Sequence, residues 1–484
     1  MASNETKDGS PKPKKQLLLN AFVMNCPGHL SPGQWRNPKN GTANYNKLSF
    51  WTSLAQTLDK AGFHCMFIAD VLGGYDVYKG PANVDPTLSS GAQFPVNDPL
   101  YLVPAMAAVT KNLTFGITAS TTYDAPYALA RRFSTVDHLA EGRVAWNIVT
   151  SYLESAARNF GLDTQVEHDE RYRIAEEYME VVYKTAVAYS DPKLWEGSWR
   201  DDAAPRDTET GQFAVPGRVR EINHKGKYFN VPGPHICEPS PQRTPFLFQA
   251  GTSKAGTDFG ARHGEAIFLG GQTPQKVQES VDSLRKTAKE KFGRDPRHMK
   301  MIAGITIIVD GTDEKAFKKR DELLTYGDRE GALALFGGWT GIDLSTYSDD
   351  EDFKFAGLPA VQSMVKCWAD TVPGSEGLKW NKARIADFLL LGGTMPKIVG
   401  SAKTVADELE RWVDEGDVDG FNLAHITNPG SFEDMIEFLL PELESRGLFT
   451  ATVEKEGATT RERFLGQSRL LDDHTGSQYK WRKD

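Results

Sequence analysis

The most constraining feature of this sequence is an alternation between short apolar runs and longer segments whose apolar residues recur at helical spacing. Eight of the runs have the length and the β-branched or aromatic content of buried strands. They span residues 17–25, 65–70, 113–122, 144–149, 245–251, 265–270, 299–309 and 420–425. Because parallel strands require a crossover connection, usually a helix, this alternation predicts an α/β fold of the (β/α)8 TIM-barrel type.

The length of 484 residues suits one such barrel with insertions. Residues 1–16 are polar and Lys-rich without an apolar core, which predicts a disordered tail and not a secretory signal. We expect the barrel over residues 17–446, with insertions at about 190–245 and 327–399. Residues 447–484 are predicted to be a C-terminal extension, extended in conformation and suited to an arm between subunits.

The composition narrows the classes of function. The formal net charge of −9 argues against nonspecific binding of nucleic acid. No apolar run reaches the roughly 18 residues of a membrane span. The four cysteines are far apart and form no CxxC pair, which argues against a disulfide framework or a metal knot. We therefore expect a cytoplasmic protein without a metal, a nucleic acid or a membrane as partner.

Polar side chains recur where the predicted strands end. They are Asn25, Cys26, His29, Asp70, Thr118, Ser120, Asn147, Thr150 and residues 251–253. A parallel barrel brings these strand ends to one face, where ligands bind, so they predict a ligand-binding mouth. Taken alone, Asp70 could instead cap a helix, and Cys26 with His29 lacks the second pair of ligands that a metal site needs.

The segment from Gln249 to Gly256 bears most directly on the kind of ligand. It joins a predicted strand to a helix start and contains two glycines and two hydroxyls, so its backbone N–H groups could hold a phosphate. It lacks the GK[ST] ending of a P-loop and does not match GxGxxG. The alternative is an ordinary strand-to-helix turn with Ser253 as the N-cap.

His168 and Tyr172 are four residues apart on a predicted helix and therefore share a face, which could line a ligand. The alternative is an exposed helix start, because acidic residues surround His168 in the sequence. Arg171 and Arg173 are predicted to be surface charges.

Six segments together carry a resemblance to a known family. They are FIAD at 67–70, ASTTY at 119–123, GRVAWNIVTS at 142–151, ARNFG at 157–161, HDERY at 168–172 and QAGTS at 249–253. The chain resembles the bacterial-luciferase-like flavin monooxygenases over about residues 17–445. The most similar branch contains the nitrilotriacetate, EDTA, dibenzothiophene-sulfone and long-chain alkane monooxygenases.

This resemblance implies a specific chemistry. Reduced FMN and O2 would form a C4a-peroxyflavin that transfers one oxygen atom to a small organic substrate. The reduced FMN would come from a separate NAD(P)H:flavin reductase. The family resemblance also leads us to expect a homodimer or homotetramer.

The resemblance also assigns roles to residues. Those expected to contact FMN are Asp70, Thr118, Asn147, His168, Tyr172, Gly251, Thr252 and Ser253, the last three around the phosphate. Those expected to face the substrate are Phe22, Cys26, Tyr75 and Gln93. His29 is the candidate catalytic residue, as a hydrogen-bond partner of the peroxide or the substrate. Tyr152 occupies a position where some relatives have other polar residues.

Two other functions stay open at this point. One is a deazaflavin-dependent oxidoreductase of the same superfamily, and the other is a flavin-binding protein without catalysis. The substrate class is open too. Aromatic residues that could line a pocket for an apolar or organosulfur molecule are Phe22, Trp35, Tyr75 and Phe94. Basic residues that could bind an amine polycarboxylate are Arg36, Arg243 and Lys254. We slightly favour the apolar or organosulfur class.

Overall fold

The computed structural model describes residues 15–186, 198–251 and 253–479. Most of the predicted N-terminal tail, part of the first predicted insertion and Thr252 therefore lie outside the described residues. Lys15 forms an ion pair with Asp419 at 2.8 Å, and the side chain of Gln16 donates to the Gly447 carbonyl at 2.6 Å.

Eight parallel strands close into a barrel, which confirms the predicted fold. The strands of the chain are β1 Leu18–Met24, β2 Cys65–Ala69, β3 Thr114–Ser120, β4 Val144–Val149, β5 His224–Lys225, β6 Asn230–Val231, β7 Phe246–Gln249, β8 Ala266–Leu269, β9 Lys300–Asp310, β10 Lys397–Ser401 and β11 Gly420–Ala424. The barrel order is β1-β2-β3-β4-β7-β8-β9-β11, and β11 pairs again with β1. Strand β10 pairs with the C-terminal half of the long strand β9, and β5 and β6 form a short antiparallel hairpin in the first insertion.

Helices surround the barrel. They are α1 Leu48–Lys60, α2 Asp85–Ser90, α3 Val103–Ala107, α4 Pro126–Leu139, α5 Glu154–Asn159, α6 His168–Ala186, α7 Lys254–His263, α8 Pro274–Phe292, α9 Asp313–Leu324, α10 Arg329–Thr340, α11 Pro359–Thr371, α12 Lys382–Leu389, α13 Ala402–Gly416, α14 Gly430–Asp434, α15 Leu440–Ser445 and α16 Thr460–Leu465. A single π-helical turn, Met435–Leu439, joins α14 to α15. None of the helices in the described part of the chain is long and apolar enough to cross a membrane.

The barrel interior is filled with aromatic rings because alternate strand residues point inward. Phe22, Phe67, Phe248 and Phe268 pack edge to face, with ring centroids 5.1 to 5.7 Å apart. This packed layer of rings fills the barrel interior. A ligand therefore has to bind outside the layer, at the C-terminal ends of the strands.

The second insertion folds over that end of the barrel. Its helices α10, α11 and α12 share a separate apolar cluster that includes Phe336, Trp368 and Trp380. Helix α10 lies against α2, which forms within the long segment 73–97, rich in Gly, Pro and Asn. The segment and the insertion therefore build one wall of the mouth together.

The C-terminal segment packs on the opposite end of the barrel, so its prediction as an extended arm is wrong over residues 458–479. Arg461 is fully buried and forms an ion pair with Glu265 at 2.6 Å. Phe464 packs against Phe246 with 4.9 Å between ring centroids. This segment therefore seals the N-terminal end of the barrel.

Candidate active site

A cavity of about 310 Å³ opens at the C-terminal ends of β2, β4 and β7. Its lining is Asp70, Val71, Leu72, Ile148, Val149, Thr150, Ser151, Tyr152, Leu153, Ala156, His168, Arg171, Tyr172, Gln249, Ala250, Gly251 and Phe259. Four residues predicted to contact the cofactor, Asp70, His168, Tyr172 and Gly251, are therefore brought together. We call this space the mouth cavity.

The turn between β7 and α7 is tight enough to require glycine. A Cβ atom on Gly251 would lie 2.5 Å from the hydroxyl of Tyr172, and one on Gly256 would lie 2.8 Å from the carbonyl carbon of Gly251. The side chain of Ser253 caps α7 by accepting a hydrogen bond from the Gly256 N–H at 3.0 Å. Ser253 is thus an N-cap, as the alternative interpretation had it, and it does not itself line the mouth cavity.

The start of α6 forms the facing wall. The rings of His168 and Tyr172 lie 5.2 Å apart, and Tyr172 also packs on Phe259. Burial raises the pKa of Tyr172, although the hydroxyls of Ser253 and Thr150 beside it oppose the shift. The phenol therefore stays protonated at neutral pH and offers a hydrogen bond.

Arg171 was predicted to be a surface charge, and that prediction is wrong. Its side chain is only 8% exposed and lines the mouth cavity. The guanidinium donates to the Val166 carbonyl, while its buried Nε has no partner among the described residues. A signal was present in the sequence, because His168, Arg171 and Tyr172 have the i, i+3, i+4 spacing of one helix face.

Asp70 lies between the mouth cavity and a smaller adjoining cavity of about 190 Å³. Burial, with the nearby carboxylates Asp98 and Asp124, raises the pKa of Asp70 to about 8. The adjoining cavity is where Thr118 is found. Asn147 lines neither space. It lies inside the barrel and donates to the Thr118 hydroxyl at 2.9 Å, so its contact with the site runs through Thr118.

The residues predicted to face the substrate form a second group, buried at the end of β1. The rings of Phe22 and His29 are 4.6 Å apart, and the Gln93 side chain donates to the His29 carbonyl at 2.8 Å. Cys26 is buried beside them, and burial raises the pKa of its thiol. None of these four residues lines the mouth cavity.

His29 faces a second histidine that we did not predict as a site residue. The rings of His29 and His425 lie 5.8 Å apart. Burial lowers the pKa of His29 well below its ordinary value and that of His425 to about 4, so both imidazoles are neutral near pH 7. Among the described residues, the buried Nδ1 of each ring has no hydrogen-bond partner. His425 ends a predicted strand, so the strand-end rule could have found it.

Tyr75 connects the two groups. Its hydroxyl lies 2.9 Å from that of Tyr152, which lines the mouth cavity. The indole N–H of Trp339 donates to the Tyr75 hydroxyl at 3.3 Å. Tyr152 was noted only as a variable position, and Trp339 was missed because α10 is remote in sequence from the barrel strand that it covers.

Comparisons with known proteins agree with this geometry. A family model described as luciferase-like monooxygenase matches residues 22–418. The chain belongs to the luciferase-like monooxygenases. It is 47% identical over 468 residues to the long-chain alkane monooxygenase of Geobacillus thermodenitrificans, covering 96% of this chain and 98% of that relative. It is 45% identical over 469 residues to the dimethyl-sulfide monooxygenase of Hyphomicrobium sulfonivorans, covering 96% and 94%.

Solved structures of luciferase-like proteins match the whole barrel. The crystal structure of DmoA from Hyphomicrobium sulfonivorans has a TM-score of 0.89 at 44% identity, over 96% of each chain. Riboflavin lyase RcaE, crystallised with a modified FMN and riboflavin, has a TM-score of 0.84 at 34% identity, over 97% of this chain and 100% of that one. The predicted family and fold are confirmed, and the family supports an oxidoreductase enzyme.

Proposed function

We propose that this protein is a two-component monooxygenase that uses reduced FMN and O2 to insert one oxygen atom into a small organic substrate. The observation that carries the proposal is the cradle in which Gly251 and Gly256 pass so close to Tyr172 that a Cβ on either would clash. A glycine-containing turn at the start of a helix can present backbone N–H groups to a phosphate.

The residues around the mouth cavity fit FMN. Residues 251–253 and Ser253 in particular would hold the phosphate. Arg171 carries a positive charge into the cavity, and its unpartnered buried Nε suits an anionic ligand. Asp70, His168 and Tyr172 would contact the rest of the cofactor, with Thr118 reached through the adjoining space and Asn147 holding Thr118.

Bound reduced FMN would supply the electrons that activate O2 for transfer of one oxygen atom. The residues of the protein would position the substrate and exclude water. The apolar rings of Phe22, Phe67 and Phe268 would keep water away from the substrate and the oxygen being transferred. His29, neutral and buried beside them, would donate a hydrogen bond to the substrate or to the oxygen being transferred, as the catalytic residue.

We infer that the substrate is an apolar or organosulfur molecule. The group around His29 consists of aromatic and neutral side chains. Of the basic residues considered for an amine polycarboxylate, Arg36 donates to the carbonyls of Gly33 and Tyr326, and Arg243 pairs with Asp201 at 2.6 Å. Lys254 is exposed at the start of α7. The names of the alkane and dimethyl-sulfide relatives support the same class.

The proposal includes a separate NAD(P)H:flavin reductase that delivers the reduced FMN, and a homodimeric or homotetrameric assembly in the cytoplasm.

Equilibrium titration with oxidised FMN and with a 5-deazaflavin cofactor tests the cofactor assignment. We expect saturable quenching of FMN fluorescence and weaker binding of the deazaflavin. Tighter binding of the deazaflavin would favour the dehydrogenase alternative, and no binding of either would contradict a flavin site.

A further inference from the structure

Trp339 lies in the last turn of helix α10, where the second insertion meets the barrel. It packs against the apolar cluster of the insertion, against the barrel cluster that contains Phe22, and against the cluster that contains Tyr75. Of the partly buried residues in the described part of the chain, only Trp339 contacts all three clusters. Its indole N–H donates to the Tyr75 hydroxyl at 3.3 Å, so the ring offers its apolar faces and edges to other neighbours.

The far end of the Trp339 ring reaches the barrel cluster. A Cβ atom on Gly393 would lie 3.1 Å from Cη2 of Trp339 and 3.4 Å from the side chain of Leu30. Leu30 belongs to the same cluster as Phe22, whose ring lies 4.6 Å from that of His29. The indole therefore extends from the insertion towards the residues predicted to face the substrate.

Other apolar side chains that pack on this cluster at the mouth end of the barrel are also only partly buried. They are Ala69, Phe268 and Met395. Phe268 and Met395 are neighbours, because a Cβ atom on Gly304 would lie 2.7 Å from the one and 3.0 Å from the other. Ala69 ends β2 and directly precedes Asp70, which lines the mouth cavity. Their partly exposed surfaces and that of Trp339 border a space that we call the apolar chamber.

The group around His29 is almost closed. Phe22 is 7% exposed, His29 3% and Cys26 2%. A substrate that is oxygenated beside His29 must therefore have the rest of its atoms in the apolar chamber. None of the four side chains that border the chamber carries a charge, and pockets of this kind bind apolar ligands.

We propose that Trp339 is a specificity-determining residue, whose indole closes the apolar chamber on the side of the insertion and limits the length of the alkyl groups of the substrate. The inference rests on the proposed function, because it takes His29 to be next to the site of oxygenation. It deepens that function by naming the residue that sets the size of an uncharged substrate such as a dialkyl sulfide.

The test compares Trp339→Leu with Phe355→Leu, a matched control in the same insertion at a residue that is 71% exposed. Calorimetry with oxidised FMN present gives the dissociation constants of dimethyl and dibutyl sulfide, and product formation gives kcat/KM for both. Trp339→Leu should improve both quantities for dibutyl relative to dimethyl sulfide by roughly tenfold or more, since added methylenes in an apolar pocket discriminate at this level. In Phe355→Leu the ratio should stay within about twofold of that of the unsubstituted protein.

A dibutyl-to-dimethyl ratio that is unchanged in Trp339→Leu, or that changes equally in Phe355→Leu, would overturn the inference. The absence of binding of either sulfide to every variant would overturn it too. If circular dichroism shows that Trp339→Leu does not fold, Met395→Ala decides the question with the same expected shift, because it enlarges the chamber from the side of β10. If the sulfides bind with the expected shift but no variant oxygenates them, the proposed function fails and the size limit set by Trp339 stands.

Discussion

At the scale of single residues, protonation states decide what the candidate site can do. His29 and His425 are neutral because they are buried. Asp70 is protonated up to about pH 8 because it is buried near two other carboxylates. Near neutral pH the site therefore contains neutral donors, with Arg171 as the buried positive charge of the mouth cavity.

The protonation of Asp70 predicts a pH dependence of cofactor binding. The pKa of Asp70 is raised to about 8, so the group is uncharged below that pH and becomes a third carboxylate beside Asp98 and Asp124 above it. An anionic FMN should then bind roughly threefold to tenfold more weakly at pH 9 than at pH 6.5. Titrations in Asp70→Asn should show no step near pH 8, and an unchanged pH profile in that variant would contradict the role given to Asp70.

The role of His29 predicts uncoupling of the reaction. Without its hydrogen bond, His29→Ala should form roughly 10- to 100-fold less product per reduced FMN consumed, with more hydrogen peroxide released. FMN binding should be unchanged, because His29 does not line the mouth cavity. The exposed His138 offers His138→Ala as a control. Normal coupling in His29→Ala would remove His29 from the mechanism.

Local sequence was a poor guide to the surroundings of individual residues. The charged neighbours of Arg171 resemble those of a surface helix, yet the side chain is buried because the start of α6 is packed under the β7–α7 turn. The pairing of Tyr75 with Tyr152 joins residues 77 positions apart. The contact between Tyr75 and Tyr152 depends on how loops pack on the barrel, which no periodicity encodes.

At the scale of elements, the β7–α7 turn is the part of the site most sensitive to shape. Its neighbours leave no space for a Cβ atom at Gly251. Gly270 follows β8 in the same way, but a Cβ atom there would have no neighbour within 4 Å among the described residues. The two glycines thus offer a matched comparison.

Gly251→Ala should push Tyr172 and the turn apart and weaken FMN binding by roughly tenfold or more, since overpacking of this kind costs about 1–3 kcal/mol. Gly270→Ala should bind FMN as well as the unsubstituted protein does. Fluorescence titration of both variants measures the difference, and equal affinities would argue against a phosphate cradle at this turn.

At the scale of the whole molecule, the two ends of the barrel are closed by different parts of the chain. The insertion and the 73–97 segment cover the C-terminal end, where the site lies. The C-terminal segment seals the other end through the buried pair of Arg461 and Glu265. The order and ends of the barrel strands could be predicted because each strand is a buried apolar run. The placement of the C-terminal segment could not, because its few apolar residues show no regular spacing.

Loss of Arg461 should destabilise the fold. Arg461→Met would leave the carboxylate of Glu265 buried without its ion-pair partner, at a cost of roughly 3–5 kcal/mol in the free energy of unfolding. Arg411→Met, which removes exposed ion pairs with Glu408 and Glu415, should cost at most about 1 kcal/mol. Urea denaturation of both variants gives the comparison, and similar midpoints would show that the C-terminal segment contributes little to the stability of the barrel.

The most direct test of the central claim is mass spectrometry of the products formed under oxygen-18 gas. The protein is supplied with FMN, a flavin reductase, NADH and a panel of small organosulfur compounds and alkanes. The proposed monooxygenase should yield a product that has gained one oxygen-18 atom, and only when protein, reduced FMN and substrate are all present. Products without the label, or flavin oxidation with no substrate converted across the panel, would contradict it.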